Sequence, residues 1–348
     1  MTTETPTKVA VVGASGYAGE ELVRLLLAHP YANLVAATSR QFSGRSLVEA
    51  FPRFSHQEKA QKLLFSNLEP KPFPQNPDIV FLAVPHGVSA SLARVFLDAG
   101  NRVIDLSADF RLHEPAVYKE FYGADHPVPE LLGSASYGLP EIYRDKIQQT
   151  KLVACPGCYP TSILLPLVPL IRAKIIDRRA IIVTSLSGVT GAGRKVAADY
   201  LFAECNESVR PYGVPKHRHL SEMEQELSFV AGEKIVIQFT PHLVPTNRGI
   251  ISTIHLDLKG DLDSGAIDSI YENAYRTEPF VRLLGSARLP DTKNVVNTNF
   301  IDIAWKIDPR TKRLVVMSAI DNLIKGTSGQ AVQCFNLMCG YDETVGLL

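Results

Sequence analysis

Apolar residues along this chain follow two rhythms, one in each half. In the first half, runs that are apolar throughout alternate with helical patterns. Residues 8–12 form a β-branched run, and residues 20–29 carry Leu22, Val23, Leu25 and Leu26 at helical spacing. A second run follows at 34–38. Two more, at 78–84 and 102–106, are separated by a helix-like stretch over 88–99 that ends at Gly100. Strands with no polar face, spaced by helices, belong to a parallel sheet covered on both sides. The first half therefore predicts a doubly wound α/β domain.

The second half is textured differently. Segments 180–186, 234–239, 250–258, 300–307 and 314–320 are strand-like, and several alternate polar with apolar, as in Thr253-Ile254-His255-Leu256-Asp257-Leu258. Asp308-Pro309-Arg310-Thr311-Lys312 is a turn between two strands and predicts a hairpin. Helical patterns at 221–230 and 264–276 supply cover for one face. The expectation is an α+β domain with a mixed or antiparallel sheet, and a last helical pattern at 330–339 ends the chain.

Composition narrows the class. A chain of 348 residues exceeds most single domains, and 45% hydrophobic content is enough for a sizeable core. Lys plus Arg and Asp plus Glu number 36 each, and no basic block stands out, so nucleic acid is not an expected partner. No apolar run reaches the roughly 18–20 residues of a membrane span, and residues 1–8 do not resemble a signal peptide. Five dispersed cysteines suit a reducing compartment better than a disulfide framework. A folded cytoplasmic protein without membrane contact is expected.

Chemistry concentrates at Cys155-Pro156-Gly157-Cys158-Tyr159-Pro160-Thr161, between a strand-like run (151–154) and an apolar run (162–171). A thiol at a strand-to-helix turn sits where helix amides favour negative charge, which lowers its pKa from about 8.5 toward roughly 3.5–7.5. Cys155-x-x-Cys158 also has the spacing of a dithiol redox pair. Gly13, Gly16 and Gly19 follow the first strand and open the first helix, as a Rossmann-like dinucleotide site requires; a plain tight turn would use the same glycines. After the second strand, Thr38-Ser39-Arg40 stands where an acidic residue would read the ribose of NAD. Ser39 and Arg40 therefore point to NADP.

Other clusters offer partners for the thiol. His217-Arg218-His219, with Glu222 and Glu224 beyond, is the densest group of titratable residues and supplies a candidate acid–base. Arg111 closes the strand-end segment Asp105–Arg111. Arg194 ends the glycine-rich loop that starts at Ser187-Gly188, and Arg248 follows Pro245-Thr246-Asn247. Each can clamp a carboxylate or phosphate, though Arg111 could equally pair with Asp109. Tyr212-x-x-x-Lys216 matches the catalytic pair of short-chain dehydrogenases in spacing only, because Gly213 and Pro215 forbid the shared helix face.

Seven segments in order, GASGYAG (13–19), VPHG (84–87), DLSADFR (105–111), PGCYPT (156–161), GVTGAGR (188–194), HRH (217–219) and NLIKGTSGQ (322–330), resemble the N-acetyl-γ-glutamyl-phosphate reductases. These are relatives of the aspartate-semialdehyde dehydrogenases. The resemblance implies NADPH-dependent reduction of an acyl phosphate through a thioester on Cys158, with His217 or His219 moving a proton. It implies substrate contacts from Arg111, Arg194 and Arg248. It adds Ser15, Tyr17, Pro85, Ser187, Gly188, Gly191 and Asn322 to the cofactor residues, with no metal. It also implies a cofactor domain over 1–156 completed by 323–348, a catalytic domain over 157–322, and a homodimer or homotetramer. The family commonly has asparagine at the position of Cys155. Reductases of N-acetyl-aminoadipyl phosphate or aspartyl phosphate are the close alternatives, because one methylene is worth only ~1–3 kcal/mol of discrimination. An NADP-binding regulator and a thiol–disulfide oxidoreductase are the distant ones.

Overall fold

The computed structural model describes residues 5–194 and 196–348. Two compact units emerge: residues up to 156 together with 327–348, and residues 157–326. The first contains β1 (Thr7–Val12), α1 (Tyr17–Ala28), β2 (Ala32–Thr38), β3 (Phe65–Ser66), β4 (Ile79–Leu82), α2 (Ser89–Asp98), β5 (Arg102–Asp105), β6 (Ala135–Tyr137), α3 (Pro140–Gln149) and β7 (Leu152–Ala154). The sheet is parallel throughout, in the order β3-β2-β1-β4-β5-β7-β6. Val9 and Val11 of β1 enter one core with Leu22 and Leu26 of α1. Ala10 and Val12 enter the other with Ala90, Ala93 and Phe96 of α2. A central strand buried on both faces has no polar side, which is why these runs are apolar throughout.

The second unit contains α4 (Cys158–Arg172), β8 (Ile182–Gly188), β9 (Arg210–Pro211), α5 (Arg218–Ala231), β10 (Gln238–Val244), β11 (Ile250–Asp257), α6 (Ser264–Tyr275), β12 (Val281–Gly285), β13 (Ile301–Ile307) and β14 (Arg313–Ile320). Its sheet is mixed, in the order β12-β13-β14-β11-β8-β10-β9. β8 and β10 run parallel, whereas β11 is antiparallel to both β8 and β14. β13 and β14 form the hairpin around Asp308–Lys312. One expectation shifts: the strand anticipated at 234–239 begins only at Gln238. The preceding amides are taken by α5, Ile235 N–H donating to Ser228 Oγ (2.8 Å) and Ile237 N–H to Glu224 Oε1 (3.0 Å).

Helix α4 carries Pro166 and Pro169 in its interior. Each proline removes the amide that would bond the carbonyl four residues earlier, and a buried orphan carbonyl costs about 1–3 kcal/mol. Both orphans are met from outside the helix. Ser318 Oγ donates to Ser162 O (2.6 Å) and Tyr275 Oη to Leu165 O (2.6 Å). The helix that starts at Cys158 is thereby fastened to β14 and α6.

After β14 the chain makes one π-helical turn, Ile324–Ser328, and enters α7 (Gly329–Cys339). That helix packs on α1 and α3 of the first unit. Ser328 Oγ donates to Ala18 O, and Gln330 Nε2 to Gly138 O. Among the described residues no helix is long and apolar enough to cross a membrane.

Candidate active site

Cys158 is the first residue of α4, and Gly157 is its N-cap. The first amides of a helix have no intrahelical acceptor, so a thiolate at this position meets donors and the positive end of the helix dipole. Gly157 N–H itself donates to Glu222 Oε1 on α5 (2.9 Å), and that carboxylate is buried. His219, one turn before Glu222, lies directly over Gly157: a Cβ built there would stand 2.5 Å from His219 Nε2. Glycine at 157 is therefore a requirement of the close approach between the helix cap and the imidazole. Gly326, in the π turn, is held by a similar constraint, since a Cβ there would come within 2.8 Å of Cys158 Cβ.

The two histidines are not equivalent. His217 caps α5, and its Nδ1 accepts the His219 amide (3.1 Å), which leaves the ring proton on Nε2. Tyr159, Tyr212 and Phe239 each meet its ring edge to face, at 5.5, 5.5 and 5.6 Å between centroids. Burial, and secondarily the charge of Arg218, pushes its ionisation down to about 4. His217 is thus neutral at neutral pH, with one nitrogen already engaged. Tyr212, set aside on sequence grounds, belongs to this cluster; the only hint in the chain was its place five residues before His217.

The glycine turn of the first unit is built as tightly. Gly13 has φ +82°, and a Cβ there would lie 2.4 Å from Ala83 O; at Gly19 it would lie 2.3 Å from Gly13 O. Gly16, the N-cap of α1, is different, because a Cβ there meets nothing nearer than 3.8 Å. Two glycines let β1, β4 and α1 close together, and the third leaves open space at a helix N-terminus, beside the point where the strand order reverses. Ser39 Oγ donates to Ser15 Oγ (2.8 Å) and accepts Phe42 N–H, while the next residue, Arg40, is exposed. Tyr17 begins α1, and Pro85 lies exposed beyond β4.

Two family models match in series: the semialdehyde dehydrogenase NAD binding domain over residues 8–150 and the semialdehyde dehydrogenase dimerisation domain over 158–322. An N-acetyl-gamma-glutamyl-phosphate reductase of Akkermansia muciniphila is 55% identical over 341 residues, 98% of each chain. Another, from Geobacter sp. (strain M21), is 48% identical over 341 residues, 98% of this chain and 97% of its own. The chain belongs to the N-acetyl-γ-glutamyl-phosphate reductase family. At the level of fold it also matches aspartate semialdehyde dehydrogenase II of Vibrio cholerae, solved with ASA. That likeness has a TM-score of 0.73 and 16% identity, over 97% of this chain and 99% of the other.

In this family member the arginines and Asn322 have specific surroundings. Arg111 is 7% exposed and donates from Nε to Cys155 O (2.8 Å) and from Nη2 to Leu106 O (2.9 Å). These bonds fix the backbone that leads to Cys158, and the Asp109 carboxylate accepts Gly87 N–H, Ala90 N–H and Tyr118 Oη. Arg248 Nη1 lies 3.4 Å from the buried Asp321. Asn322 Oδ1 accepts Gly249 N–H and its Nδ2 donates to Thr190 Oγ1, tying the loop after β8 to the 246–249 turn. Gly188 lies where these segments touch, a Cβ there falling 2.8 Å from Asn247 O. Gly191 is open, with Ser187 Oγ 3.5 Å from such a Cβ. Arg194 is exposed at the end of the loop. Cys155 is 1% exposed and packs in the core of the first unit, so it presents no accessible thiol.

Proposed function

We propose that this chain reduces N-acetyl-γ-glutamyl phosphate to N-acetylglutamate semialdehyde and inorganic phosphate, with NADPH as reductant and Cys158 as nucleophile. The observation that carries the reading is Cys158 at the head of α4 with the His219 imidazole over its cap, in a chain 55% identical to a reductase of that name along nearly its whole length. The thiolate attacks the γ-carbonyl carbon, and the first-turn amides of α4 face the oxyanion that forms. The carbon–oxygen bond to phosphate then breaks and leaves a thioester on Cys158. When bound, NADPH supplies a hydride to that carbonyl carbon. The carbon–sulfur bond breaks, and the sulfur leaves as a thiolate at the same helix end. One proton is consumed overall, and His219 delivers it to the departing phosphate, because His217 stays neutral and bonded at Nδ1. Arg194 and Arg248 are the residues for the phosphate and α-carboxylate, and Arg111 holds the Cys155 carbonyl.

The glycine turn fits a pyrophosphate at Gly16 and the α1 amides. Ser39 with Arg40 fits a 2′-phosphate, although the matched family model is described as NAD binding. Within the second unit, Asn322 ties the loop that carries Ser187, Gly188 and Gly191 to the 246–249 turn. Assayed in the oxidative direction with phosphate, N-acetylglutamate semialdehyde is expected to exceed its one-methylene-longer homologue and aspartate semialdehyde in kcat/KM by about 10-fold or more, with NADP favoured over NAD. A clear preference for either competitor, or for NAD, overturns the corresponding assignment.

The second unit pairs with another copy of itself. Alternate positions on β8, β11 and β14, among them Leu186, Ile251, Thr253, Val315 and Met317, share one face of the sheet and are partly exposed, while their neighbours are buried. The matched domain is described as a dimerisation domain, which supports pairing through this unit. Sedimentation should give a dimer or a dimer of dimers, and Met317→Arg should shift it toward monomer; a monomeric wild type contradicts the assignment.

A further inference from the structure

Asp321 follows β14 directly, and its carboxylate is fully buried. A buried carboxylate is stable only where donors replace its water. Here they come from three segments of the second unit. Oδ1 accepts Leu323 N–H (2.7 Å) and Ile324 N–H (3.1 Å), Oδ2 accepts Asn297 N–H (2.8 Å), and Arg248 Nη1 lies 3.4 Å from that same oxygen. The Asp321 carbonyl in turn accepts Gly326 N–H (2.9 Å). That bond shapes the turn in which Gly326 packs against the Cβ of Cys158. One residue therefore braces both the turn beside the nucleophile and the guanidinium of Arg248.

Arg248 is held at its main chain as well as its side chain. Gly249 N–H donates to Asn322 Oδ1 (2.9 Å), and a Cβ at Gly188 would stand 2.8 Å from Arg248 N. The backbone at 248–249 is thus fixed against Asn322 and the end of β8. The side chain, 20% exposed, runs inward to Asp321. Its guanidinium is anchored from the buried side through one nitrogen of a five-donor fork. An arginine on a flexible stem loses rotamer freedom when it takes an anion, and a carboxylate that already holds it removes part of that cost.

We propose that Asp321 is a positioning residue for Arg248, fixing the guanidinium where the phosphate or α-carboxylate of the substrate docks. The inference rests on Arg248 as an anion-binding residue of the reaction. A purely local use of the same carboxylate, tying the 321–326 turn to Asn297, predicts effects that do not depend on Arg248. The two uses therefore part in a double-mutant cycle.

The test measures kcat and the KM values for N-acetylglutamate semialdehyde, phosphate and NADP in full-length wild type, Asp321→Asn, Arg248→Met and the double variant. Asparagine keeps an acceptor for the Leu323 and Ile324 amides but turns an N–H donor toward Arg248, which repels the cation. Arg248→Met should raise KM for the semialdehyde or for phosphate. Asp321→Asn should raise the same constant roughly tenfold, leave KM for NADP unchanged, and add less than about twofold on top of Arg248→Met. Should Asp321→Asn not fold, Asp321→Glu displaces the charge by one methylene, and the same pairing with Arg248→Met applies. An undiminished effect of the Asp321 variant in the Arg248→Met background, or an unchanged KM in the folded single variant, overturns the inference. If Arg248→Met itself alters neither constant, the assignment of Arg248 to the substrate is contradicted instead.

Discussion

Cys158→Ala should lose turnover in both directions by on the order of 10⁴-fold or more. Its neighbour Tyr159 stays protonated and is a poor nucleophile, so it cannot stand in for the thiolate. The variant is a clean one. Gly326 packs against the Cβ of residue 158, and alanine keeps that atom, so the local packing persists while the sulfur goes. Far-ultraviolet circular dichroism and the thermal midpoint should match wild type. Steady-state assays of the semialdehyde with NADP and phosphate provide the check, and retained turnover would refute a covalent route.

Gly157→Ala should separate activity from stability. The cap has φ −67° and ψ 157°, a conformation open to any residue, so alanine brings no backbone strain. What it brings is a methyl 2.5 Å from His219 Nε2 and 2.8 Å from two ring carbons. The imidazole is the part that can give way, and its displacement costs the fold little, within about 1 kcal/mol. Displacing an acid–base group by about an ångström costs roughly 10²-fold in rate. We therefore expect kcat to drop about a hundredfold with a near-wild-type melting curve. A wild-type kcat would mean that the imidazole over the cap takes no part in the reaction.

The fold was legible where burial alone dictates the pattern. The runs around β1, β4 and β5 are apolar throughout because both of their faces are buried, and the alternation in β11 records a sheet with one partly open face. Strand limits were less legible where tertiary partners decide. Ile235 and Ile237 look like strand residues, yet Ser228 and Glu224 take their amides. Nothing local marks Ser318 and Tyr275 as the residues that accommodate two prolines in a helix more than a hundred positions earlier.

The same division holds at the site. A thiol at a strand-to-helix turn and a histidine pair can be read from the chain because each is a local pattern. The difference in their surroundings cannot, because it depends on His217 Nδ1 capping α5 and on His219 standing over Gly157. Nor can the chain show that Arg111 bonds the Cys155 carbonyl or that Asn322 accepts the Gly249 amide and donates to Thr190 Oγ1. Cys155 looks like a redox partner for Cys158 in sequence, and its burial among apolar residues is likewise a tertiary fact that no local pattern announces.

The most direct test of the account is a single-turnover experiment on the wild-type protein with N-acetylglutamate semialdehyde and NADP in the absence of phosphate. Hydride loss from the hemithioacetal on Cys158 would leave a thioester with no acceptor. The account predicts a burst of one NADPH per active site and an N-acetylglutamyl γ-acyl adduct on the peptide containing Cys158, both discharged when phosphate is added. No burst without phosphate, or an adduct on any other residue, would contradict it.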